Sequence, residues 1–286
     1  MRKQGTVAKE VTLSGIGVHT GNKTELRLMP AEPGTGIRFV RGDLPGKPYV
    51  DAHVSNVVGV LRGTTIGVDG VNVHTVEHVL APLACFGITN AIIELDSNEP
   101  PVGDGSSREL VVKLKEAGVK QQDAFIDVFE PKEIIYLTEG DIILIVLPYD
   151  GFKISYTLSF NHPKLDAQYL SLDINREIFV NEIAPSRTFC FYREVEKLMN
   201  QGLIKGGSLD NAVVIGDEGI FSKEELRYKN EFVRHKMLDL IGDTYLLGVP
   251  LKCHIVATKS GHSTNLKLTQ ALHRAYCKQK EQCKVS

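Results

Sequence analysis

No stretch of the sequence reaches the roughly 18 consecutive apolar residues that a bilayer-spanning helix needs. The opening Met1-Arg2-Lys3-Gln4-Gly5-Thr6 runs into a strand-like segment instead of the apolar core of a signal peptide. A cytoplasmic chain with no transmembrane segment is therefore the expectation. An excess of charge is missing too: 33 Lys and Arg stand against 35 Asp and Glu, a net of -2. That balance excludes the basic footprint of a nucleic-acid-binding protein and a polybasic membrane patch, which leaves a small molecule as the expected partner; a monomer is expected as well. Cysteine occurs, but without useful spacing. Cys85, Cys190, Cys253, Cys277 and Cys283 are odd in number, scattered and free of any C-x-x-C, which excludes a disulfide framework and a Cys-ligated zinc and leaves free thiols.

What is there is a chain of 286 residues, enough for two ordinary domains or one large one. The first sixty residues alternate and turn, as short antiparallel strands do. The glycine-rich run from Leu13 to Gly21 reads as a tight loop carrying His19. Asp69-Gly70 between alternating β-formers predicts a hairpin. A helix is then predicted with Thr75 as its cap, apolar positions from Val76 to Phe86, a kink at Pro82 and Gly87 as its stop. After a strand at Ala91-Ile92-Ile93-Glu94-Leu95, Ser106-Ser107-Arg108-Glu109 predicts a capping box opening a helix that stops at Gly118. Beyond Asp123 to Pro131 the order of strands, helix, strand and helix starts again, with the run Ile142 to Leu147 apolar enough to be covered on both faces. Later helices are predicted from about Tyr192 to Gln201 and from about Thr264 to Tyr276. The fold class that follows is α+β: two duplicated two-layer sandwich domains, 1–125 and 126–286, packed together with a site between them.

The chemistry concentrates on the segment Asn230 to Asp243. As a helix it puts His235, Asp239 and Asp243 on one side, while Phe232, Val233, Met237, Leu238, Leu240 and Ile241 wrap most of its circumference. Such a helix is buried, and a buried carboxylate needs a cation, a protonated neighbour or neutralisation. His and Asp at this spacing suit a metal ion. The second candidate is Glu77-His78 at the head of another apolar segment. Two readings compete there: His74-Thr75-Val76-Glu77-His78 fits the H-x-x-E-H pattern of an inverzincin-like metallopeptidase, with His74 and His78 as ligands. Alternatively His78, His235 and Asp239 hold the ion, with Glu77 as the base beside the attacking water.

Four strings carry a resemblance: Thr75-Val76-Glu77-His78, Ala184-Pro185-Ser186-Arg187-Thr188-Phe189, Phe232-Val233-Arg234-His235-Lys236-Met237-Leu238-Asp239 and Lys259-Ser260-Gly261-His262. Together, and from Gly15-Ile16-Gly17-Val18-His19 to the last helix, the chain resembles the UDP-3-O-acyl-N-acetylglucosamine deacetylase family, zinc amidases of lipid A biosynthesis. The resemblance implies one catalytic Zn2+, or Fe2+, on His78, His235 and Asp239. It also implies Glu77 as general base, His262 as general acid held protonated by Asp243, and Lys236 and Thr188 as oxyanion donors. The substrate implied is a UDP-acyl-amino-sugar. Its acyl chain would enter an apolar passage formed by an insert near 191–214, with Phe189, Phe191, Val195, Gly207 and Ser208 as lining. Phe160, in the string Phe160-Asn161-His162-Pro163, would lie near the uridine.

Overall fold

The computed structural model describes residues 1–162 and 165–285, so Pro163 of the last string lies outside the described residues, as does the side chain of Cys283. The first half of the chain runs β1 (Arg2–Val7), β2 (Val11–Ile16), β3 (Lys23–Pro30), β4 (Ile37–Arg41), β5 (Tyr49–Asp51), β6 (Val57–Gly59), β7 (Thr65–Val68), β8 (Val71–Val73), α1 (Glu77–Phe86), β9 (Ala91–Leu95), α2 (Arg108–Ala117) and β10 (Val119–Ile126). The second runs β11 (Ile135–Glu139), β12 (Ile142–Pro148), β13 (Phe152–Leu158), β14 (Gln168–Asp173), the short α3 (Arg176–Ile178), β15 (Phe189–Phe191), α4 (Tyr192–Asn200), β16 (Val213–Ile215), β17 (Ile220–Phe221), α5 (Glu231–Tyr245), β18 (Cys253–Thr258) and α6 (His262–Val285).

Five strands of each half form one sheet, in the orders β2-β3-β9-β4-β5 and β11-β12-β18-β13-β14. Counted within its half, each sheet has the same order. A hairpin and a second antiparallel pair come first, and a last strand inserts between them after a helix. β9 is antiparallel to β3 and parallel to β4, and β18 has the same relation to β12 and β13. Parallel neighbours need a crossover, and α1 and α5 supply it. The class is α+β with two like layers. Between β5 and α1 the first half adds the small sheet β6-β7-β8; between β14 and α5 the second adds β15-β16-β17, with α4 crossing between the parallel β15 and β16.

The sheets are covered on one face. Thr24, Leu26 and Leu28 of β3 are buried while Lys23 and Glu25 are exposed, the period-2 alternation of a half-buried strand. β12 behaves alike, with Leu144 and Val146 buried and Ile143 exposed. The expectation that Ile142 to Leu147 is covered on both faces is therefore wrong: its length of apolar residues reflects β-propensity, and only alternate side chains reach the core. The buried faces meet helices, and α1 packs against α5. Their contact is backbone-close, since a Cβ on Gly242 of α5 would lie 2.3 Å from the carbonyl oxygen of Glu77.

Local signals held unevenly. Asp69 and Gly70 have φ of 51° and 82°, the left-handed pair that a two-residue hairpin demands. Gly87, at φ 74°, ends α1. Thr75 does not cap it. Its φ is 55° and its hydroxyl donates to Glu99 Oε1 at 2.9 Å, so the N-cap is Val76, with no side-chain cap bond. The capping box at Ser106 to Glu109 is absent as well. Pro82, inside α1, lacks the amide that would bond the His78 carbonyl; Ser107 Oγ donates to that carbonyl at 2.8 Å instead. Ser107 is thus spent on α1, and Ser106 Oγ donates to Asp104 at 2.5 Å while accepting from the Arg108 amide at 3.2 Å, so one first-turn amide is met without the reciprocal Glu109 bond. The last helix starts two residues before Thr264, at His262, and runs past Tyr276 to Val285.

Candidate active site

α1 and α5 bring their polar residues to one place. His78 Nε2 lies 3.7 Å and His235 Nε2 3.4 Å from Asp239 Oδ1. The two imidazoles meet edge to face, centroids 5.0 Å apart. His235 Nδ1 is 3.1 Å from the Ser186 carbonyl; a carbonyl only accepts, so Nδ1 carries the proton and Nε2 presents its lone pair. Burial lowers the His235 pKa to about 4, against the pull of Asp239, so this imidazole is neutral at pH 7. Asp239 Oδ2 accepts from Lys236 Nζ at 2.7 Å, while Oδ1, buried and facing both histidines, has no hydrogen-bond partner among the described residues. Burial would raise the Asp239 pKa, but Lys236 and His235 hold it well below the usual carboxylate range. An ionised, orphaned oxygen opposite two imidazole nitrogens is the donor set of a divalent cation. His78 points the same way: burial works against its protonation, yet the facing Asp239 carboxylate and Glu77 raise its pKa, so the site is short of positive charge.

Among the described residues two groups bring ligand atoms within 4.8 Å of one another: His78, His235 and Asp239, and Glu77, Asp239 and His262. The second is the weaker ligand set, because His262 carries a proton. Its Nδ1 is 2.9 Å from Asp243 Oδ2. Burial alone would lower its pKa, but Asp243 and Asp239 outweigh that and push it up to about 9. This happens at the first residue of α6, where a helix dipole disfavours a cation; the two carboxylates supply the compensation. His262 Nε2 then faces Glu77 Oε1 at 4.0 Å and Asp239 Oδ2 at 3.8 Å. Glu77 is buried and its pKa is raised by burial, with His262 and His78 offsetting part of the rise. Its Oε2 accepts from the Thr64 amide at 3.0 Å, which leaves Oε1 toward the site.

His74 belongs to neither group. It follows β8 ahead of the left-handed turn at Thr75, and its Nδ1 lies 2.9 Å from Thr65 Oγ1. The H-x-x-E-H reading fails because that turn breaks the helix between the two histidines.

A cavity of about 1040 Å³ opens from this centre. Lys236, Thr188, Phe160, Phe189, Phe191 and Val195 line it, with Gly207 and Ser208 further along. The aromatics form one cluster, with Phe160 edge-on to Phe191 at 5.0 Å and Phe189 against Phe232 at 4.8 Å. Lys236 reaches the cavity while bonded to Asp239, and that pairing raises its pKa although burial opposes it. His19 also lines the cavity. Its loop hangs on Glu99, which accepts from the His19 and Thr20 amides and the Thr20 and Thr75 hydroxyls. The same loop reaches the second half: Gly206 N donates to Val18 O at 3.1 Å, and a Cβ at Gly206 would lie 2.2 Å from Gly17 O.

Several residues of the site carry no sequence signal of their own. Thr64, Asn265 and Ser186 are ordinary polar residues whose partners lie far along the chain. Arg187 and Glu231 form a buried pair: Glu231 accepts from Arg187 Nε at 2.8 Å and from the Arg187 and Arg227 amides. That pair pins the loop holding Ser186 and Thr188 to the start of α5. The demand of His235 for an Nδ1 partner was foreseeable from metal-site chemistry; which carbonyl meets it was not.

Among known proteins, the UDP-3-O-acyl N-acetylglycosamine deacetylase family profile matches residues 4–274. A protein named UDP-3-O-acyl-N-acetylglucosamine deacetylase from Thermodesulfovibrio yellowstonii is 42% identical over 274 residues, covering 96% of this chain and 93% of its own. One of the same name from a Geobacter species is 44% identical over 275 residues, covering 96% and 90%. A third, from Chlamydia trachomatis, is 43% identical over 268 residues, covering 93% of each. With like sheets on either side of a His, His, Asp centre and the match running almost end to end, the chain belongs to the UDP-3-O-acyl N-acetylglycosamine deacetylase family.

Proposed function

We propose that this enzyme hydrolyses the acetamide of UDP-3-O-acyl-N-acetylglucosamine, releasing acetate and a free amine in lipid A biosynthesis, with one cation on His78, His235 and Asp239. The observation that carries the reading is the orphaned Asp239 Oδ1 opposite two imidazole Nε2 atoms, with Glu77 and a protonated His262 beside it. Two nitrogens and one carboxylate oxygen suit Zn2+, and Fe2+ accepts the same donors. Bound there, the ion would supply Lewis acidity, making water acidic near neutral pH and polarising the acetamide carbonyl.

The side chains do the rest. Glu77 Oε1 takes a proton from the attacking water as its oxygen bonds to the carbonyl carbon. Lys236 and Thr188 offer donors to the developing oxyanion. His262 gives its Nε2 proton to the nitrogen as the C–N bond breaks, keeping its Nδ1 proton on Asp243. The proton gained by Glu77 and the one lost by His262 balance through solvent. The acyl chain lies in the cavity against Phe189, Phe191, Val195, Gly207 and Ser208, and the exposed Phe160 ring meets the uracil. The halves 1–125 and 126–286 act as two domains of a cytoplasmic monomer, each lending one buried helix to the centre.

The test pairs metal analysis with acetate release. His235→Ala and Asp239→Ala are expected to lose both bound metal and activity, while His74→Ala keeps both. Full metal content in the first two with loss in the third would return the reading to His74.

A further inference from the structure

Thr64 sits in the connection between β6 and β7, 1% exposed. A buried threonine hydroxyl usually satisfies itself on nearby backbone. This one reaches the other half of the molecule: Thr64 Oγ1 donates to Asp243 Oδ1 at 2.6 Å, across a sequence separation of 179. The backbone of the same residue holds the start of α1. Its amide donates to Glu77 Oε2 at 3.0 Å, and its carbonyl accepts from the Val76 amide at 3.2 Å. Asp243 is as buried as Thr64, and its carboxylate has three donors: the Thr64 hydroxyl on Oδ1, with His262 Nδ1 and Asn265 Nδ2, each at 2.9 Å, on Oδ2. Among the described residues only the Thr64 bond holds Oδ1, so it sets the rotation of the carboxylate plane and with it the line along which Oδ2 meets His262.

We infer that Thr64 is a positioning residue that fixes the general base through its amide and the acid's carboxylate partner through its hydroxyl, holding the two in one geometry. The inference rests on the acid–base reading above. Its loop is built to keep this position. A Cβ at Gly63 would lie 3.2 Å from Glu77 Oε1 and 3.3 Å from Thr75 Oγ1, so the chain passes directly over the base. The preceding residue Arg62, at φ 63°, pairs with Glu194 of α4 at 2.9 Å, and both line the cavity. The β-branch of Thr64 restricts χ1, so its hydroxyl is aimed with little freedom to turn away.

Because the amide is backbone, substitution separates the two tasks. Thr64→Val keeps shape and amide and removes only the hydroxyl. In the metal-loaded protein, Thr64→Val is expected to lower kcat by about 10- to 100-fold, the worth of one hydrogen bond to a charged group. KM and bound metal should stay at parent values. Thr64→Ser restores the hydroxyl and is expected within about threefold of the parent. The second measurement is the proton NMR signal of His262 Nδ1–H in the zinc-loaded protein, which should shift in the Val variant and return in the Ser variant. A Val variant with parental kcat, a loss confined to KM, a Ser variant as slow as Val, or an unmoved Nδ1–H signal each overturns the inference. Should Thr64→Val fail to fold, the Ser variant and Thr64→Ala carry the same comparison. If the parent itself releases no acetate, the reaction assignment is what fails; the NMR comparison still reports on the Thr64 bond.

Discussion

Two groups at the centre titrate in opposite senses, and their pairing sets a pH window. As the proposed base Glu77 works ionised, and its pKa is raised by burial, so activity is expected to fall as pH drops through that raised value. As the proposed acid His262 works protonated, and with its pKa pushed up to about 9 activity is expected to be lost as pH rises through that value. The expected kcat/KM profile is a bell, with both limbs drawn lower by the field of a bound dication. Glu77→Ala should cost about 10²–10⁴-fold with metal retained, and His262→Ala should abolish the high-pH limb. A His262→Ala profile that superimposes on the parent's would assign the acid elsewhere. Arg187 makes a second prediction at this scale. Its removal leaves Glu231, fully buried, without its cation, which costs about 3–5 kcal/mol. Urea unfolding of Arg187→Ala should show it; a change below about 1 kcal/mol would mean that the Arg187 and Arg227 amides alone satisfy the carboxylate.

α1 carries a defect and its repair. Pro82 strips the His78 carbonyl of its helical partner, and Ser107 returns one from the neighbouring helix. Ser107→Ala should therefore destabilise by about 1–3 kcal/mol, the cost of an unmet buried acceptor. In a Pro82→Ala background, where residue 82 regains an amide, the same change should cost markedly less. Equal costs in both backgrounds would show that Ser107 matters for some other reason. This pair also marks where sequence reading stops. A capping box at Ser106 to Glu109 and a cap at Thr75 are sound local inferences, and both fail on partners the local pattern does not show: Thr75 donates to Glu99 and Ser107 to the His78 carbonyl, both distant in sequence, while Ser106 donates back to Asp104. The same limit applies to Thr64 and Asn265, whose partner Asp243 lies on another element. His235 and Asp239 were legible as a candidate pair because helical spacing and the cost of a buried carboxylate speak from within one short segment; Glu77 and His78 stood between two readings until the four family strings were taken together.

At the scale of the molecule, the candidate ligands come from both halves, so bound metal should tie them. Free metal at 100 times its Kd adds about 2.7 kcal/mol, or on the order of 5–10 °C in Tm for a chain of this size. Calorimetry with and without a chelator measures it; identical transitions would count against a site shared between α1 and α5. The repeat of strands, helix, strand and helix was readable, since periodicity changes twice at the same steps. The identical sheet order was not, because nothing in β9 or β18 says that they slip between strands already paired.

That insertion governs how the chain can fold as it is made. β9 is central in its sheet yet follows all four of its sheet-mates in sequence, and β18 stands likewise in the second. Until residue 95 has been synthesised, the pairs β2-β3 and β4-β5 are two separate hairpins with an open edge each, and the same holds for the second sheet until residue 258. Isolated hairpins are marginal in water, so neither sheet gains its stability gradually. Each closes late and at once, around the helix that carries its share of the centre.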